Sequence, residues 1–213
     1  MDSDDIWRAL DHERAALADL FEEFTDEDWR TPSLCTGWSV RDVAAHLTLA
    51  HLGMPGALVG LVRARGSFDR MVRDTAIRQA RLPVEEYPRR LRAMVGSRQK
   101  APVITELEHL IDVLVHGQDI ARPLGRVHPV PVEPAVAAAD RAWTLAFPFG
   151  GRRRLAGYEL IATDVAWRVG SGRPVEGPIG SLLLLITGRA AAIPDLSGPA
   201  VADLAAAFGR RAA

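Results

Sequence analysis

At 213 residues, with 48% hydrophobic and 25% charged residues, the chain has the make-up of an ordinary globular protein, long enough to bury one large core or two smaller ones. A formal net charge of −1 excludes recruitment to nucleic acid or anionic membrane by bulk charge. A single cysteine, Cys35, excludes an internal disulfide and any cysteine-based zinc cluster, so a metal must rest on histidine and carboxylate ligands.

The start Met1-Asp2-Ser3-Asp4-Asp5 has neither the basic nor the apolar region of an export signal, and the apolar run at 182–186 is too short to span a bilayer. Both features predict a cytoplasmic protein with no membrane partner. Residues 4–24 read as a first helix, with Ile6, Leu10, Leu17, Leu20, Phe21 and Phe24 recurring at helical spacing behind an acidic start that suits the positive end of the helix dipole. After a turn through 25–36, Ser39 stands as an N-cap with Asp42 as its capping-box partner, and Trp38 and Val43 occupy the staple positions. The helix so started carries Val40, Val43, Leu47, Ala50 and Met54 on one side and is expected to end or kink around 53–56.

Residues 57–100 predict one or two helices broken near Pro83. This window has a net charge of +7 and residues 1–30 one of −8, so the arginine-rich stretch has an acidic partner within the same chain. Its only aromatic residues are Phe68 and Tyr87, which gives no stacking platform for nucleic acid. A long helix spans about 103–121 and stops at Arg122-Pro123-Leu124-Gly125, and another covers 133–147. Helices joined by short connections imply an antiparallel bundle. Composition changes after 148–154: segments 158–165, 166–169 and 173–175 read as short strands punctuated by Gly170, Gly172 and Gly177, and helices follow near 179–189 and 199–210. The expected organisation is an α-helical bundle over 1–150 followed by a small α+β domain over 151–213.

Asp112 and His116 are four residues apart, so they project from one helical face about a turn from each other, close enough to share an ion. His46, at the edge of the apolar face of its own helix, completes a two-histidine, one-carboxylate set that leaves a coordination position open. The helical wheel gives a conflicting signal. Leu107, Leu110, Ile111 and Leu114 form the apolar side, with His109, Asp112, His116 and Asp119 nearly opposite, where periodicity alone puts them in solvent. Val113, Val115 and Ile120 flank that polar stripe, as they do on a helix packed on two sides. His109 and His51 are rival ligands. Cys35 reads as a small buried residue at a turn, or alternatively as a thiolate favoured by the helix start that follows it. Gly170-Ser171-Gly172 reads as a turn. Two functional classes follow from the residues, a metal-dependent enzyme and a non-catalytic regulatory protein that binds a metal or small ligand.

The segments Gly37-Trp38-Ser39-Val40-Arg41-Asp42-Val43-Ala44-Ala45-His46-Leu47 and Asp112-Val113-Leu114-Val115-His116-Gly117-Gln118-Asp119-Ile120-Ala121-Arg122-Pro123-Leu124-Gly125 resemble the mycothiol-dependent maleylpyruvate isomerase group of the DinB-like superfamily. The likeness extends through 162–167 and 182–189, over essentially the whole chain. It implies a DinB-like four-helix bundle holding a divalent metal, usually zinc, on His46, Asp112 and His116, with Asp112 standing where the isomerase has a glutamate. It further implies a low-molecular-weight thiol, mycothiol or a similar one, used by a thiol S-transferase or maleylpyruvate isomerase-like enzyme on a small electrophilic substrate. In the isomerase an arginine of the C-terminal domain contacts the anionic substrate, and Arg189 is its counterpart here.

Overall fold

Helix starts in this chain are written in local chemistry, and the computed structural model, which describes residues 1–49, 68–100 and 104–212, shows them in place. Helix α1 (Ser3–Glu22) begins at a reciprocal box in which Asp5 N donates to Asp2 at 2.8 Å and Asp2 N donates to Asp5 at 3.2 Å. The same device starts α2 (Asp26–Arg30) with Thr25 and Asp28, α3 (Val40–Leu47) with Ser39 and Asp42, and, beyond α4 (Phe68–Gln79) and α5 (Glu86–Met94), α6 (Glu106–Ala121) with Thr105 and Glu108. Each box satisfies two backbone N–H groups that a helix start leaves without partners.

The chain divides into two compact units, Asp2–His128 and Pro129–Ala213, the latter grouped with Met1. In the first, α1 packs on α5 and α6, and α3 packs on the same two, which closes a four-helix bundle; α4 lies against α3. Ile6, Trp7, Leu10, Leu17 and Phe21 of α1 meet Tyr87 and Leu91 of α5 and the apolar residues of α6 in its core. The segregated charges meet as expected: Arg92 reaches Asp19 at 2.5 Å and also pairs with Glu22, and Arg98 reaches Asp11 at 2.9 Å. The break near Pro83 separates α4 from α5. The kink expected at 53–56, and His51, lie outside the described residues.

The second unit is α+β. Helix α7 (Val132–Thr144) packs its small buried residues Ala135, Ala138, Ala139 and Ala142 on α9 (Ile179–Ile186), whose residues 181–186 are all buried, and α8 (Gly151–Arg154) lies beside them. Strand β1 (Gly157–Ala162) is central, antiparallel to β2 (Arg168–Gly170) and parallel to β3 (Gly172–Gly177), with Leu160 opposite Val169 on one side and Val175 on the other. Gly170-Ser171-Gly172 is more than the expected turn, because it carries the chain past the start of β1 from one sheet edge to the other. Both glycines have positive φ, and a Cβ on Gly172 would lie 2.3 Å from Gly157 O, so neither position accepts a side chain. A short 3-10 turn (Ala190–Asp195) and α10 (Val201–Ala212) end the unit.

The two compact units part at 128/129, and the boundary expected from composition is at 150. Composition changes at 150, but α7 buries its alanine face on α9 and so belongs with the sheet rather than with the bundle. Among the described residues no helix is long and apolar enough to cross a membrane.

Candidate metal centre

Ser39 sets the start of α3, and His46 follows two turns later on the flank that faces α6. The ring of His46 is held edge-on by Trp38, at 5.6 Å between centroids and 74° between planes, and lies 5.0 Å from the His116 ring. Asp112 and His116 come from successive turns of α6. That helix is packed by α1 and α3, so its polar stripe is not a solvated face: His109 is 7% exposed and Asp119 wholly buried.

Asp112 bridges the two imidazoles. Its Oδ2 lies 3.4 Å from His46 Nε2 and its Oδ1 3.3 Å from His116 Nε2. One ligand atom from each residue falls within 4.8 Å of the other two. Both separations exceed the 2.9–3.0 Å typical of an N–H···O bond. Each is close to the ligand–ligand spacing around a zinc ion, about 3.3–3.4 Å for metal–ligand bonds of about 2.0–2.1 Å, with one carboxylate oxygen turned to each imidazole. The donor set of two imidazoles and a carboxylate is of the kind zinc takes in catalytic sites, and the residues therefore fit such an ion. Asp112 is the most open of the three, its side chain 35% exposed against 19% for His46 and 14% for His116, which leaves the cluster unsealed on that side.

A second carboxylate stands behind His116. The Nδ1 atom of His116 lies 2.8 Å from Asp119 Oδ2, and the Cys35 thiol donates to the same oxygen at 3.1 Å. Cys35 reaches this position from the turn before α3, where Leu34 N donates to Asp119 O at 3.1 Å. His116 is thus flanked by a carboxylate on each ring nitrogen. Burial works against its imidazolium, yet the charge of Asp112 and the hydrogen bonds to Asp112, Asp119 and Cys35 hold its pKa well above the ordinary value. Burial likewise opposes ionisation of Asp112, and the two imidazoles overcome it and hold the carboxyl well below its usual range.

The structure brings His46, Asp112 and His116 together, and the rival ligand His109 stands apart from them. His109 is buried one turn before Asp112, with Nε2 lacking a hydrogen-bond partner, and is not grouped with the cluster. Arg189 lies in the second unit, half-buried, with Nη1 donating to Thr187 O at 2.9 Å. The roles of Asp119 and Cys35 escape sequence reasoning. The signal for Asp119 is its position three residues after His116, on the same helical face; the approach of Cys35 is set by a turn and leaves no periodic trace.

A family model described as the mycothiol maleylpyruvate isomerase N-terminal domain matches residues 10–121, more than half of the chain, and that span includes Cys35, His46, Asp112, His116 and Asp119. A crystal structure of the mycothiol-dependent maleylpyruvate isomerase is similar in fold, with 13% identity over 89% of this chain and 90% of that one and a TM-score of 0.60. A histidine-to-alanine mutant of that isomerase is similar at 12% identity, the same coverage and a TM-score of 0.59. No curated protein matches the sequence. With the family model spanning the bundle from α1 to the end of α6, the chain belongs to the mycothiol maleylpyruvate isomerase N-terminal domain family.

Proposed function

We propose that this chain is a metal-dependent enzyme that uses a low-molecular-weight thiol of the mycothiol type to isomerise, or transfer the thiol to, a small electrophilic substrate in the cytoplasm. The observation that carries this reading is the convergence of His46, Asp112 and His116, with the Asp112 carboxylate 3.4 Å from His46 Nε2 and 3.3 Å from His116 Nε2 and the ligand atoms all within 4.8 Å of one another. His46, Asp112 and His116 would hold the ion, zinc being the metal that best suits the donor set. An ion held by these residues would supply Lewis acidity, the chemistry that favours the thiolate form of a thiol at neutral pH.

The chain's own residues provide the rest. Asp112 would contribute the one negative charge among the three ligands, and its side chain is the most exposed of the three. Trp38 fixes the plane of His46. Arg189 is assigned to the anionic end of the substrate, by its likeness to the isomerase arginine and its arginine chemistry, since a guanidinium pairs with carboxylates in a fork.

Mixing the protein with mycothiol and a panel of electrophiles tests this reading. Metal-loaded wild type is expected to consume at least one electrophile faster than mycothiol alone, and His116→Ala to fall back to the protein-free rate. Protein-free rates for wild type across the whole panel would contradict the enzyme reading and leave a binding protein.

A further inference from the structure

Each ring nitrogen of His116 faces a carboxylate, and the two geometries differ in kind. Asp112 stands off at 3.3 Å on Nε2, whereas Asp119 closes to 2.8 Å on Nδ1. Two atoms 2.8 Å apart are too close to share a tetrahedral zinc ion, whose ligand edges are about 3.3–3.4 Å, and are at the distance of a charge-assisted hydrogen bond. Asp119 is also wholly buried, with no open side for water or substrate, which an ion bound there as a catalytic centre requires. Although Cys35, His116 and Asp119 form a second cluster of potential ligands, its geometry is that of a hydrogen-bond network.

From this we infer that Asp119 is a positioning residue: it accepts the Nδ1 proton of His116 and thereby fixes the tautomer whose Nε2 lone pair faces Asp112 and His46. The inference rests on the metal reading proposed above. Three features support it. The Cys35 thiol donates to the same Oδ2, so that oxygen acts as an acceptor toward two donors. Main-chain anchoring holds the carboxylate in register, because Asp119 O accepts from Leu34 N one residue away from Cys35. With Nδ1–H turned to Asp119, the nitrogen left to face Asp112 and His46 is Nε2, and a cation held there takes the place of any proton on that atom. His46 has no such support. Among the described residues its buried Nδ1 has no hydrogen-bond partner, whereas His116 Nδ1 has Asp119, so the two imidazoles are held differently.

The test combines metal affinity with the tautomer. Zinc affinity is measured by competition with a chromophoric chelator for wild type, Asp119→Asn and Asp119→Ala, and the imidazole nitrogens of His116 are assigned by 15N NMR in zinc-loaded wild type. The expected result is a protonated Nδ1 in wild type and an affinity about 10- to 100-fold weaker in both variants. Affinity in a folded Asp119→Asn equal to wild type would overturn the positioning role while leaving the metal reading intact, and a wild type that binds no zinc would overturn both. The NMR assignment needs no variant, so a protonated Nε2 with a bare Nδ1 in wild type overturns the inference even where Asp119→Ala does not fold. Cobalt substitution supplies a further arm: a thiolate-to-cobalt band lost in Cys35→Ser would show the ion in the other cluster and overturn the inference.

Discussion

Arg14 is a buried cation with few partners among the described residues of the bundle. Its side chain is 1% exposed, yet it holds one firm hydrogen bond, Nη1 to Met94 O at 3.0 Å, and a loose pair with Asp11 at 3.6 Å, while Nε and Nη2 are buried without partners. Burial accordingly depresses its pKa. A buried cation so poorly matched costs desolvation that its contacts do not recover. Arg14→Met is therefore expected to be neutral or stabilising, by up to about 4 kcal/mol, in urea unfolding with an unchanged slope. Asp11 would keep Arg98 as its partner, and a loss of about 2 kcal/mol or more would show that the orphaned donors carry an interaction essential to the core. Asp112 belongs to the same scale. One methylene shorter than the glutamate that the resemblance leads one to expect, it nonetheless spans both imidazoles, because α3 brings His46 to within 3.4 Å of it.

Among the elements, α3 shows most clearly what sequence makes legible. Ser39 Oγ donates to Asp42 Oδ2 at 2.7 Å, Ser39 N donates to the same oxygen at 2.8 Å, and Asp42 N donates back to Ser39 Oγ at 3.2 Å. Loss of this box by Ser39→Ala is expected to lower stability by about 1 kcal/mol, read as a shift of the urea midpoint at constant slope; an unshifted midpoint would show that tertiary packing alone starts the helix. Such starts are readable because donor and acceptor are three residues apart in the chain. The face of α6 is not, since a wheel describes one helix while burial depends on its neighbours. His109 and Asp119 sit opposite the leucines and are buried all the same, because α1 and α3 cover more than one side of α6.

At the scale of the whole molecule, the helical bundle and the small sheet were both legible, and the division between them only in part. Strand alternation and glycines announce the sheet near residue 157, but the small apolar face of α7 does not say which unit it will cover, and only its packing on α9 assigns it. The candidate centre divides the same way: the i, i+4 pair and the capped helix pointed to Asp112, His116 and His46, while the contacts of Cys35 and Asp119 with His116 depend on how a turn folds against α6. The central claim is that these three side chains hold one metal ion in the first unit. Metal content of the purified protein, measured beside His46→Ala and His116→Ala, tests it most directly. The account predicts one zinc per chain in wild type and little in either variant; stoichiometric metal unchanged in both would contradict it.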